Sequence, residues 1–267
     1  MNCEEIGMDA NGRGVAGEWS APVGVKSVTR PAAGWLEPRG WVNLNFYFVM
    51  TVLCSAILLW GFGHTVPSVL LHPAVRRPRI LWLHSVVFSS WLLFAMLQTG
   101  LVRVRKVKVH RLLGWFGLGL AVLMVVVGVL TALQLGHFDL TVLHQAGADT
   151  FKVVSFADMI LFPLLVGLGI VWRKKVELHR RLFLLATVEL TGAGFARIDW
   201  LAAHNLMFLC ADAVMCLGVL RDLLVTGRVH RVYKVGIPAI VLWHAGVTWM
   251  YLRPPAWWVR LAHVWMG

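Results

Sequence analysis

Histidines and carboxylates lying in or beside long apolar runs are the residues of this chain whose types could carry chemistry. His64, His84 and His204 fall towards one set of run ends, while His110 and His179 fall in two matching basic turns at the other. Neutral imidazole is a good ligand for haem iron, and two histidines from different helices can hold a haem between them. Arg111 and Arg180 directly follow the turn histidines and would help hold an anionic cofactor, with haem b the one this reading calls for. Nothing in the spacing of the five histidines is diagnostic. A histidine bonded to a backbone carbonyl or to Gln98 would leave the same sequence.

Asp158, Glu189 and Asp212 form a second set. Carboxylates are expensive facing lipid, so these should face protein, where they commonly mark ion or substrate routes. With Arg197, His204 and His244 they would line a proton or substrate path. Asn205 and Asp212 are seven residues apart and share a helical face. The alternative is structural: Glu189 or Asp212 pairs with Arg197 or caps a kinked helix. His137, Asp139, His144 and Asp149 sit in a stretch that reads as a solvated loop.

The elements that must position these groups are transmembrane helices. The 267 residues are 58% hydrophobic and only 14% charged, against about a quarter charged in soluble domains. Apolar segments are expected over 46–71, 80–102, 112–135, 153–172, 182–203, 205–225 and 235–252. Each is near the ~20 residues needed to cross a bilayer. The fifth is weakened by Glu189, Arg197 and Asp199, and the first should kink at Gly61, Gly63 and Pro67. His84, Trp91 and Gln98 recur every seven residues and form one polar stripe on the second. The expected fold is an all-α transmembrane bundle of about seven spans over 45–252, built from three helical hairpins and an extra N-terminal helix. A mobile polar tail, 1–44, precedes it, and an interfacial tail, 253–267, carries Trp257, Trp258 and Trp265.

The net charge of +12 does not point to nucleic acid, because the Lys and Arg residues lie in short turns between apolar runs. That placement fixes topology and meets anionic headgroups. Turns at 103–111, 173–181 and 221–234 mark one face as cytoplasmic, with the N-terminus on that side. Arg76, Arg77 and Arg79 disagree, and three turns outweigh one. Cys54, Cys210 and Cys216 lie inside apolar runs as small hydrophobes, without a CxxC or zinc spacing. Hydrolase, P-loop, dinucleotide, kinase and HExxH patterns are all missing.

The turn Lys106-Val107-Lys108-Val109-His110-Arg111-Leu112 recurs as KVELHRRL from Lys175 to Leu182, and more weakly at Arg228-Val229-His230-Arg231. With the stretches RKKVELHRRLFLLATVELTGAGFARID and RDLLVTGRVHRVYK, it resembles a family of uncharacterised bacterial multi-pass membrane proteins with repeated basic His-Arg turns, over most of 80–235. The HRRL turn is distantly similar to small membrane proteins of cytochrome oxidase assembly. The first resemblance implies a bacterial inner-membrane protein and no activity. Four-helix di-haem cytochromes b offer an analogy in architecture, but they place ligands on four successive helices, and the fourth span here has no histidine. The sequence therefore supports a haem-binding or redox-linked membrane protein. The alternatives are a proton-coupled transporter using the buried carboxylates, and an assembly or partner subunit bound to other membrane subunits.

Overall fold

Long apolar runs closed by basic turns become long helices. The computed structural model describes residues 38–145 and 147–266, and no strand occurs among them. The first 37 residues of the expected tail lie outside the described residues, and its remainder opens α1 (Pro38–Val66). There follow α2 (Ile80–Arg103), α3 (Val107–Thr141), α4 (Ala148–Val171) and α5 (Val176–Glu189). Two short helices, α6 (Thr191–Phe195) and α7 (Asp199–Ala203), lead to α8 (Met207–Thr226), α9 (Arg231–Leu252) and α10 (Ala256–Met266). Among the described residues, five helical segments are long and apolar enough to cross a membrane: Gly40–Leu71, Ile80–Arg103, Val107–Thr141, Ala148–Val171 and Arg231–Leu252.

Two expectations need correction. The connection placed at 136–151 is shorter, because α3 continues to Thr141 and α4 begins at Ala148. His137 and Asp139 therefore stand on a helix. The fifth segment is broken late: α5 passes into α6 through Leu190, whose backbone stays right-handed helical, and the chain turns extended at Ile198 before α7. Its polar residues and Gly192 and Gly194 favour such interruption. The stretch expected as an interfacial tail is the helix α10, which buries Trp258, Ala262 and Met266, packs on α3 and α4 and leaves Trp257 and Trp265 exposed. The bend expected late in the first segment is present as a π turn over Pro67–Leu71, with the His72 N–H donating to the Pro67 carbonyl at 2.8 Å.

Along the long helices many large apolar side chains face outwards, among them Leu59, Val86, Leu112, Phe116, Ile160 and Leu242. Helices with such a surface are held by close contact rather than by exclusion of water. α2 packs along α3, and α4 along α5. Trp91 fills the centre, with ring centroids 5.0 Å from Phe162 and 6.4 Å from Phe183. α1 meets α6 backbone to backbone, since a Cβ on Gly61 would stand 2.1 Å from the Gly194 carbonyl oxygen. Gly218 likewise leaves the room on α8 that the Tyr233 ring of α9 occupies. These contacts bring α5, α8 and α9 together, and the polar groups lie between them.

Candidate functional site

The twenty-two residues of α9 set His244 thirteen steps beyond Arg231, roughly 20 Å along the axis. Its side chain points inwards and is 2% exposed. Nδ1 is 2.9 Å from Asp212 Oδ1 on α8, and Nε2 is 3.1 Å from both carboxylate oxygens of Glu189, the last residue of α5. Phe208 stacks on the imidazole at 4.2 Å and closes one face. Asp158 of α4, half-buried, interacts electrostatically with Glu189 and His244. Among the described residues, no Lys or Arg forms an ion pair with Asp158, Glu189 or Asp212.

Hydrogen-bond capacity dictates what this trio holds. A neutral imidazole donates from one ring nitrogen only, and an ionised carboxylate only accepts. Both contacts of His244 are satisfied in two ways: as an imidazolium between two carboxylates, or as a neutral ring that donates to one carboxylate and accepts from the other carboxyl, then protonated. Each form contains one more proton than a neutral histidine with two carboxylates. That proton belongs to the group as a whole, and moving it between the forms is a transfer along an existing hydrogen bond.

A second buried network joins the same three helices at the end bearing the basic turns. Arg181, in the second turn of α5, donates from Nε and Nη2 to Asp222 of α8 at 3.1 and 2.5 Å. Arg221 Nη1 donates to Asp222 at 2.9 Å, and the backbone N–H of His230, the N-cap of α9, donates to it at 3.0 Å. Arg221 also donates to Asn43 of α1. Exposure is 2% for Arg181, 1% for Arg221 and 0% for Asp222. Glu177 accepts from both Arg180 and Arg181, and guanidinium groups stand over the rings of Tyr47 and Tyr233. Three guanidinium groups thus share two carboxylates, and the buried Nε atoms of Arg180 and Arg221 have no hydrogen-bond partner. In the sequence Arg181 and Asp222 fall within the basic turns 173–181 and 221–234, where they look like topology-setting or solvated charges. The available signal was the Arg221-Asp222 pair still inside an apolar run.

The five histidines assigned to a cofactor do not converge. Exposed His64 and His204 each donate from Nδ1 to the carbonyl four residues back, Trp60 and Trp200 respectively, at 2.8 Å. His84 stacks on Phe88 at 4.0 Å, below the buried Trp91 and Gln98 of the same helix. Only His110 and His179 meet, with ring centroids 6.1 Å apart. His179 donates from Nδ1 to the Gly169 carbonyl at 2.9 Å, which leaves its Nε2 lone pair free. Arg180 is engaged with Glu177, whereas Arg111 is exposed. Arg197 lies over the Phe62 ring at 3.7 Å and donates to the Ala193 carbonyl, so it pairs with neither Glu189 nor Asp212.

Of the stretch expected as a solvated loop, His144 is exposed in the connection between α3 and α4, whereas His137 and Asp139 are tied down. Asp139 pairs with Arg77 at 3.2 Å and Lys152 at 2.9 Å. His137 donates to the Met266 carbonyl at 2.9 Å, which fixes the end of α10. Among the described residues, no three His, Cys, Asp or Glu side chains are arranged to hold a metal ion. No family model, curated protein or solved structure matches the chain.

Proposed function

We propose that this chain is a proton-coupled membrane transporter in which His244, Glu189, Asp212 and Asp158 bind and pass the coupling proton. The observation carrying this reading is the imidazole of His244 held between carboxylates from two other helices, with no Lys or Arg among the described residues in an ion pair with them. Such groups inside a bundle are costly unless their charge is used. Two further features support it. The helical course of α5 and α6 ends at Ile198, which is extended ahead of the short α7, and ion-coupled carriers place their sites at discontinuous helices. α5, α8 and α9 are also tied by a second ionic network at the basic-turn end, roughly 20 Å along α9 from His244, so a closed end stands apart from the proton-binding group.

The frame for this activity is seven crossings, with α5–α6 and α8 joining the five long apolar segments as three hairpins after α1. The basic turns face the cytoplasm across a bacterial inner membrane and meet anionic headgroups, with the N-terminus on that side. The test is collapse of an imposed pH gradient in proteoliposomes, followed with a trapped pH dye, with buffer or a small-metabolite extract outside. The wild-type protein is expected to speed collapse over empty vesicles, and Glu189→Gln and Asp212→Asn to abolish the gain. Wild-type vesicles no faster than empty ones in both media, or variants as fast as wild type, would contradict the reading.

A second reading rests on the His110–His179 pair. A histidine that donates from Nδ1 to a backbone carbonyl is oriented as metal-ligating histidines are, and haem b between these two rings would make the protein redox-linked. A reduced-minus-oxidised visible spectrum with iron quantified on the same sample decides it: a b-type band lost in His179→Ala supports it, and a flat spectrum removes it.

A further inference from the structure

At the basic end, beside the buried Arg181–Asp222 pair, an open pocket is lined by Glu177, Arg181, Thr226, Arg228, His230 and Arg231. It lies between the start of α5 and the turn joining α8 to α9. Arg228 and Arg231 are exposed, and among the described residues neither has a carboxylate within ion-pair distance. The lining itself thus holds three guanidinium groups, Arg181, Arg228 and Arg231, against one carboxylate, Glu177. His230 accepts from the Val232 N–H at Nδ1, so its ring carries its proton on Nε2 and offers a further donor. The walls therefore carry an excess of donors and positive charge, with the rigid buried Arg181 at the base.

We propose that this pocket binds a phosphate-bearing anion, with the exposed Arg228 and Arg231 as its hydrogen-bonding clamps and Arg181, whose donors are already held by Asp222 and Glu177, adding only positive charge at the floor. Planar guanidinium forks suit the tetrahedral oxygens of phosphate, and several of them around one anion give short charge-assisted hydrogen bonds. The position at the helix ends admits two sources of that chemistry: the phosphate of an anionic lipid headgroup, or a free phosphate compound from the aqueous side. The site is separate from the His244 group and stands whether or not the protein moves protons.

The test uses the full-length protein, an Arg228→Ala/Arg231→Ala variant, and a Lys106→Ala/Lys108→Ala control that removes equal charge from exposed residues of another basic turn. In the free-anion arm, detergent-purified protein is titrated with inorganic phosphate against chloride at constant ionic strength, with thermal stability as readout. In the lipid arm, the protein is taken from bilayers of mixed phosphatidylglycerol and phosphatidylcholine, and retained lipid is counted by native mass spectrometry. A saturable shift with phosphate identifies a free anion, and selective retention of phosphatidylglycerol identifies a headgroup. Either effect should weaken about tenfold or more in the arginine variant and persist in the lysine control. The proposal is overturned if the arginine variant equals wild type in both arms, if neither arm shows binding, or if the lysine control loses as much.

Discussion

Replacing Asp222 by Asn removes the only buried carboxylate between two buried arginines and leaves the side-chain volume nearly unchanged. Arg181 and Arg221, 2% and 1% exposed, would then lie in the interior with a neutral amide in place of their counter-charge. Breaking a buried ion pair by deleting one partner costs about 3–5 kcal/mol, because the surviving charge stays desolvated. At about 2–4 °C per kcal/mol for chains near this length, the apparent Tm should fall by roughly 6–20 °C. Arg181→Met should cost less, since Asp222 keeps Arg221 and the His230 N–H as donors. Removing Arg181 and Asp222 together should cost less than the sum of the two changes. The assay is thermal unfolding of detergent-purified protein, monitored by loss of the monodisperse elution peak. A fall under about 2 °C for Asp222→Asn, on a scale where 1 kcal/mol moves Tm by that much, would refute the claim that this network holds α5, α8 and α9 together.

Other substitutions and conditions give further expectations. Gly61→Ala forces a Cβ onto the Gly194 carbonyl oxygen, so α1 and α6 must separate at a cost of about 1–3 kcal/mol. A thermal melt equal to wild type would contradict that backbone approach. His230, in the turn outside the spans, has its pKa lowered by burial and then by the Arg181 charge, with Arg231 acting the same way and Asp222 and Glu177 opposing. The folded state therefore disfavours the imidazolium, so stability is full above the ordinary histidine pKa and is lost as pH falls through the lowered one. Protonation would also remove the Nδ1 acceptor that caps Val232. Melts of His230→Asn against pH should show a flatter acid limb than wild type, and an unchanged limb would remove His230 from the account.

How much of this was legible in the sequence follows from the range of each interaction. The long helices announce themselves through unbroken apolar runs, and Glu189 and Asp212 were assigned to the interior because a lipid-facing carboxylate is so costly. Their convergence on His244 was not legible. Residues 32 and 55 positions apart meet only once the rotation of α8 and α9 about their axes is fixed, and side-chain packing sets that. Arg181 and Asp222 were hidden for a related reason: an arginine in a basic turn reads as solvated, although α5 begins at Val176 and turns Arg181 inwards. Asp139 misled because a polar stretch after a glycine looks like a loop, whereas its pairing with Arg77 and Lys152 keeps α3 helical to Thr141.

The central claim is that His244, Glu189 and Asp212 share an exchangeable proton, and difference infrared spectroscopy of the protein in bilayers during a pH titration tests it most directly. A protonated-carboxyl stretch that rises and falls reversibly with pH, shifts in His244→Gln and disappears or moves in Glu189→Gln or Asp212→Asn is the predicted result. A spectrum with no titrating carboxyl band, or with one untouched by all three substitutions, would contradict the account.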